Sequence, residues 1–334
     1  MKYLIFIFKH RFRKNSLNNI LRCKKIKDTR IIDLSGPYFY FLGKILYFFI
    51  RSKKVVFISC DGLDFLKRES NSINFWMGGT SQKILEKYKK FKNNFVAAST
   101  IFTDESKLLI FYPTLINKGK FKKNFNFVYI AENKEIENDK SLKVWKNHKK
   151  EILENLNLLD KIDFWSNVVD IKMDPVQKIY IDIKSLIRSE LVYELNNLLK
   201  EKFILVGSNW KKKYPNALQN NYSNKYIENL YKGNICVDFG SKNSDKCIYP
   251  RSSKIIESGG LLFQSIHNDS SEVFKDLFDK TCFSSSEDMK EKINFFLKNS
   301  NYIDELFMTQ QKNFENDDFN YRTIKSIENF INNR

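Results

Sequence analysis

Short runs of consecutive apolar residues, each stopped by a turn, recur along this chain and restrict what it can fold into. Val55–Cys60 (VVFISC), Phe127–Ala131 (FVYIA), Phe203–Gly207 (FILVG), Ile235–Phe239 (ICVDF) and Leu261–Phe263 (LLF) are the clearest. They are too short for buried helices and lack the polar alternation of a half-exposed strand. Such runs are expected of parallel strands covered on both faces. Helical patterns lie between them, so the expected class is α/β with parallel sheets.

Further strands are expected at Lys2–Phe8, Arg30–Leu34, Ile73–Met77, Phe95–Ser99 and Leu108–Phe111. Helices are expected at Tyr38–Ile50, Ser81–Lys90, Lys143–Leu159, Ile187–Lys202, Tyr226–Tyr231 and Asp288–Lys298, with Phe164 to Val176 irregular and a helix-rich tail over 303–332. Pro113 to Asn126 is basic, punctuated and weakly patterned, the best linker in the chain. The expected architecture is two Rossmann-like domains facing a cleft. Residues 1–122 form the first, residues 123–305 the second, and 306–334 a helical tail able to pack back on the first. Ligands of open α/β sheets bind beyond the carboxyl ends of the strands. The turns at Asp61–Gly62, Gly78–Thr80, Gly207–Trp210 and Arg251–Gly260 can therefore all face that cleft.

The stretch Tyr249–Gln264 (YPRSSKIIESGGLLFQ) carries the most chemistry. A basic, hydroxyl-rich opening enters a helix-like run. Gly259–Gly260 end it and supply positive φ, and a buried strand follows. Arg251 and Ser252 then sit at a helix N-terminus, where free N–H groups and the dipole favour an anion such as a diphosphate.

Net charge is +18 over 334 residues. That favours polyanionic partners: phosphorylated ligands, anionic lipid surfaces or nucleic acid. Lys, Asn, Ile and Phe are all abundant, as AT-rich coding would produce, and neither an Arg cluster with interleaved aromatics nor a zinc-finger or RNP pattern occurs, so nucleic acid is disfavoured. The five cysteines are scattered with no CxxC spacing, and the three histidines do not cluster, which suggests reduced thiols in a cytoplasmic protein and no zinc site. No apolar run is long enough to span a bilayer. Tyr38–Ile50 (YFYFLGKILYFFI) reads as a core helix or, with Lys44, Arg51, Lys53 and Lys54 around it, as a helix lying on an anionic membrane face.

The C-terminal half resembles bacterial glycosyltransferases of the GT-B fold, nearest the group-1, CgeB-like kind. FILVGSNW (203–210), NLYKGNICVDFG (229–240), PRSSKIIESGGLL (250–262) and the segment Phe283 with Glu287–Leu297 carry the resemblance, in order, over about residues 200–300. It implies a nucleotide-sugar donor and a glycan or lipid-linked acceptor, in cell-surface polysaccharide synthesis. The location implied is cytoplasmic, with the inner membrane face as an alternative. Aligned on Arg251 and Gly259–Gly260, the family's usual ribose-holding Glu falls on Lys254, which accepts no hydrogen bonds. Glu257, one turn later, is the candidate substitute. The N-terminal half resembles the family in outline, with WMGGTSQK (76–83) like a Gly-rich loop on the acceptor side.

Glycosyl transfer needs positive charge or helix N-terminal N–H groups for the leaving diphosphate, and a base for the acceptor hydroxyl. Arg251, Ser252, Ser253, Lys254 and Arg188, the last at the start of its helix, are the donor-side candidates. Gly207, Ser208 and Asn209 are candidates for the base or ribose of the nucleotide. Gly259 and Gly260 complete the donor motif, and Gly78, Gly79 and Thr80 form the acceptor-side loop. Asp61 and His267 are the catalytic candidates, and Glu132 has an open role. The Asp61–Gly62 pair equally makes a turn by itself. No Asp-x-Asp motif follows a strand at a suitable place, so no metal and no cofactor are expected. A non-catalytic GT-B-like protein, or a basic binder of membranes or nucleic acid, are the alternatives.

Overall fold

The computed structural model describes residues 2–7, 29–34, 36–60, 66–68, 70–76, 94–96, 116–117, 121–169, 176–219, 223–240, 250–267, 270–315 and 328–329. The chain forms two compact units. The first takes Met1–Thr114 with Asp317–Arg334, and the second Leu115–Asn316.

The first unit holds β1 (Lys2–Ile7), β2 (Thr29–Asp33), α1 (Pro37–Phe49), β3 (Val55–Cys60), β4 (Ser72–Trp76) and β5 (Asn94–Val96). The strands make one parallel sheet in the order β2-β1-β3-β4-β5. Leu4 to Ile7 and Val56 to Ile58 are buried, as a parallel sheet covered on both faces requires. Asn74 ties down the chain after β3: its Oδ1 accepts from Ser59 Oγ at 2.6 Å and from Leu66 N at 3.1 Å, and its Nδ2 donates to Leu66 O. Asp61, Gly78, Gly79 and Thr80, the helix expected at Ser81–Lys90 and the strand expected at Leu108–Phe111 lie outside the described residues.

The second unit runs β6 (Phe127–Ile130), α2 (Asp139–Glu154), α3 (Ile162–Val168), α4 (Val176–Leu199), β7 (Phe203–Val206), α5 (Asn224–Tyr231), β8 (Ile235–Asp238), α6 (Pro250–Glu257) and β9 (Leu261–Ser265). It continues with the short helices α7 (Ser270–Phe274) and α8 (Phe278–Thr281), β10 (Cys282–Phe283), α9 (Ser286–Lys298) and α10 (Ser300–Glu315). Its sheet is also parallel, ordered β10-β9-β8-β6-β7. In both units the second strand lies outside the first, and the third returns to the first strand's other side. That is the 2-1-3-4-5 order of a doubly wound sheet, with its switch point between first and third strands. The chain is thus α/β with two Rossmann-like sheets.

Helix α4 buries one apolar stripe in the second unit. Ile179, Ile183, Ile187, Leu191, Leu195 and Leu199 recur every four residues and are all buried. It begins eleven residues before the helix expected at Ile187. The segment expected to be irregular holds α3. Asn138 caps α2 by accepting from Lys140 N, and Ser285 caps α9 by accepting from Asp288 N. Among the described residues the second unit extends beyond 123–305 at both ends. Asn117 N donates to Glu257 O, and Lys122 N to Gly233 O. Gln310 of α10 accepts from Leu262 N at 2.9 Å and donates to Gly260 O at 2.8 Å, which docks that helix on β9.

Of the two readings of Tyr38–Ile50, the core helix holds for one side only: Gly43 is buried, and Tyr40, Leu46 and Tyr47 pack partly buried on the core. Tyr38, Phe41, Phe48 and Phe49 are each exposed by two thirds or more.

Candidate functional site

The switch point of the second sheet lies between β6 and β8. Both strands are buried throughout, and β8 finishes in Asp238, fully buried. An isolated carboxylate there is costly, so it must be paired and hydrogen-bonded. Its Oδ1 accepts from Gly240 N at 3.0 Å. Its Oδ2 accepts from Ser252 Oγ at 2.7 Å, and Arg251 Nη1 lies 3.6 Å from Oδ1. Gly240 has φ +74°, which lets the chain fold back over the carboxylate.

Arg251 crosses the switch point. From the first turn of α6 its Nη1 donates to Ile130 O at the end of β6 while facing Asp238 of β8. A second guanidinium joins it. Arg188 is buried, and its Nη2 donates to Gly240 O. It lies in the middle of α4 rather than at a helix start, because α4 begins at Val176. The Tyr129 hydroxyl is buried beside both arginines. Burial pushes its pKa up, and Arg188 and Arg251 pull it partly back.

Several buried polar atoms at this carboxyl edge have no hydrogen-bond partner: Arg188 Nε, Ser253 Oγ, Gln264 Oε1 and both ring nitrogens of His267. Buried polar groups are normally satisfied, and each exception calls for an explanation. Such groups suit a polar ligand that brings acceptors and donors of its own.

The strand β7 corner lies on the same edge. Gly207 has φ +146°, and a Cβ there would stand 1.9 Å from Ala131 O. This tight corner lets Trp210 Nε1 donate to Ala131 O at 2.6 Å. Ser208 O accepts from Asn133 N at 3.1 Å, and Asn209 Nδ2 donates to Asn133 O at 3.2 Å. The loop after β6 also borders an open cavity of about 460 Å³ lined by Lys134, Glu135, Glu137, Asn138, Lys178 and Asp182. Burial pushes the Asp182 carboxyl up, but Lys134, Ser141 and Asn138 together hold it below its ordinary value.

The structure separates other expected donor residues from this edge. Glu257, Gly259 and Gly260 lie at the far end of α6, along the amino ends of β8 and β9. There Gly259 O accepts from Gly233 N, and Glu257 O from Asn117 N. Gly259 has φ +79°. Gly260 does not need positive φ; it is required because a Cβ would come within 2.8 Å of Cys236 Sγ and 2.9 Å of Tyr231 O. Lys254 is turned to Glu228 of α5, with Nζ–Oε1 at 2.5 Å. Glu132 is exposed in the loop after β6. Sequence reasoning missed Asp238 and Tyr129. For Asp238 a signal existed: one acidic residue closing an otherwise apolar strand, followed by Phe-Gly. Tyr129 is hidden inside FVYI, where it reads as core.

Among the described residues no group of His, Cys, Asp or Glu could hold a metal ion, and no helix is long and apolar enough to cross a membrane. No family profile and no curated protein matches the sequence. Among solved structures, two of β-glucosyltransferase are similar over 99% of both chains. One is the DNA-modifying enzyme with and without uridine diphosphoglucose, at 10% identity and TM-score 0.47. The other is the T4 phage enzyme, at 9% identity and TM-score 0.47.

Proposed function

We propose that this chain is a GT-B glycosyltransferase whose second unit binds a nucleoside-diphosphate sugar at the β6/β8 switch point and passes the sugar to a glycan or lipid-linked acceptor. The carrying observation is Arg251, which joins the ends of β6 and β8 across the switch point from the first turn of α6. When the bond from the sugar to the diphosphate breaks, negative charge grows on the leaving phosphate oxygens. Arg251, Arg188 and the α6 N-terminus offset that charge without a metal. Asp238 is a positioning residue that fixes the Arg251 fork. Ser253 Oγ and the His267 ring, buried without partners, are the groups for phosphate and donor sugar. In this reading Asp61 of the first unit is the acceptor base. The narrower likeness to group-1, CgeB-like enzymes and a role in cell-surface polysaccharide synthesis rest on the ordered segments between 200 and 300.

The test is thermal stabilisation by UDP, GDP and CMP. One diphosphate should raise the melting temperature, its monophosphate should do so less, and Arg251→Ala and Arg188→Ala should each abolish the shift. No shift with any nucleotide would overturn the reading. Binding with neither donor hydrolysis nor transfer would leave a nucleotide-binding protein that is not an enzyme.

A further inference from the structure

Helix α1 is apolar on two sides, and only one of them is used by the fold. Tyr40, Leu46 and Tyr47 pack on the cluster of Ile5, Ile7, Leu34, Phe57 and Leu66. Gly43 lets the helix sit directly on β1, since a Cβ there would meet Ile7 at 3.0 Å. Tyr38, Phe41, Leu42, Ile45, Phe48 and Phe49 form the other side. Their spacing of three, four, seven, ten and eleven residues places them in one stripe. Each is between 40% and 87% exposed. One such residue on a surface is ordinary, but a continuous stripe of this kind marks an interaction site.

Charge identifies the occupant. Residues 1–114 carry 22 Lys and Arg against 8 Asp and Glu, and 317–334 carry three of each, so the first unit holds +14 of the chain's +18. Arg51, Lys53 and Lys54 are exposed directly after the helix ends. The partner must therefore present anions beside an apolar layer. A second copy of this chain would bring another +14 to a self-complementary contact. Nucleic acid offers phosphates but no apolar layer for leucine, isoleucine and phenylalanine. An anionic bilayer surface offers both. The 13-residue helix spans about 20 Å, short of the ~30 Å hydrocarbon core. It therefore lies in the interface plane, with its aromatic rings at headgroup level and the basic residues against anionic lipid.

We infer that α1 docks the first unit on an anionic membrane surface through its outer stripe. This stands apart from the donor-site reading. The test is co-sedimentation of the full chain with vesicles of phosphatidylcholine alone and of phosphatidylcholine mixed with phosphatidylglycerol. The protein should pellet with the mixed vesicles, only weakly with the neutral ones, and less as salt rises. Lys53→Gln/Lys54→Gln should weaken binding about 30-fold, from roughly one kcal/mol per basic residue. Phe41→Ser/Phe48→Ser/Phe49→Ser should weaken it by at least ~100-fold, with the circular dichroism melt unchanged because these side chains already face solvent. Wild-type protein left in the supernatant with anionic vesicles would overturn the inference, as would serine-variant binding equal to wild type. A dimer in light scattering that the serine variant dissociates would instead assign the stripe to a second copy.

Discussion

Two adjacent serines at the candidate site should respond oppositely to the same substitution. Ser252 and Asp238 are both fully buried, and the hydroxyl donates to the carboxylate at 2.7 Å. Ser252→Ala removes one of the groups that make a buried charge tolerable. A hydrogen bond to an ionised group contributes about 1.5–3 kcal/mol, so a loss of about 2 kcal/mol is expected. For a unit of some 200 residues that is roughly 4–8 °C in Tm. Ser253 is also buried, but its hydroxyl has no partner. Removing an unsatisfied buried hydroxyl relieves a desolvation cost of about 1 kcal/mol. Ser253→Ala should therefore leave stability unchanged or slightly raised. If that hydroxyl is kept for a phosphate oxygen, the same variant should lose part of the stabilisation by a nucleoside diphosphate. Urea unfolding followed by tryptophan fluorescence measures the first effect, since Trp165 and Trp210 are both buried in the second unit. Nucleotide titration of each variant measures the second. Equal destabilisation by the two substitutions would refute the argument, because Ser253 would then be part of the fold rather than of the binding surface.

Gly207→Ala should be among the most damaging single-methyl changes in the second unit. Its Cβ would lie 1.9 Å from Ala131 O, the acceptor of the Trp210 Nε1 hydrogen bond. Strain at positive φ plus that lost bond suggests about 3 kcal/mol or more, read as a Tm fall near 10 °C; a loss under about 1 kcal/mol would contradict the geometry. The acid limb of stability should depend on Asp182. Its folded pKa is held below the unfolded value, so its contribution is complete above about pH 4 and disappears as pH falls through the folded pKa. Asp182→Asn should thus lower stability at pH 7 while making the loss between pH 4 and pH 2 shallower, and urea midpoints across that range decide it.

Much of the second unit was legible because its strands are buried on both faces. FVYI, FILV, ICVD and LLF have no alternation to be confused with, and a Pro-Arg-Ser-Ser opening marks the first turn of α6. The arrangement of the site was less legible, because it depends on which strands become neighbours. Nothing local shows that Ile130 and Gly240, 110 positions apart, come under the same pair of arginines. Val176–Ile187 mixes polar and apolar residues and so hides the start of α4, although Ile179, Ile183 and Ile187 already continue the four-residue spacing. Lys254 stood out as a missing carboxylate, but its ammonium faces Glu228 on α5, a pairing between two helices that no spacing rule reveals.

Helix α1 sets a different limit. Its residues repeat at helical period on two opposite faces, so hydrophobic periodicity establishes a helix but cannot say how much of it is covered. Coverage depends on the surfaces available. The first sheet presents one layer to α1, and Tyr40, Gly43, Leu46 and Tyr47 already occupy it. The outer stripe then stays in water unless another phase meets it. At about 25 cal/mol per Å², leaving several aromatic and aliphatic side chains wet forgoes several kcal/mol. A composition chosen only for folding would have put Lys or Glu at those positions. AT-rich coding would raise Phe, Ile and Lys throughout the chain, but it would not sort them into a stripe on one face with the basic residues at its end.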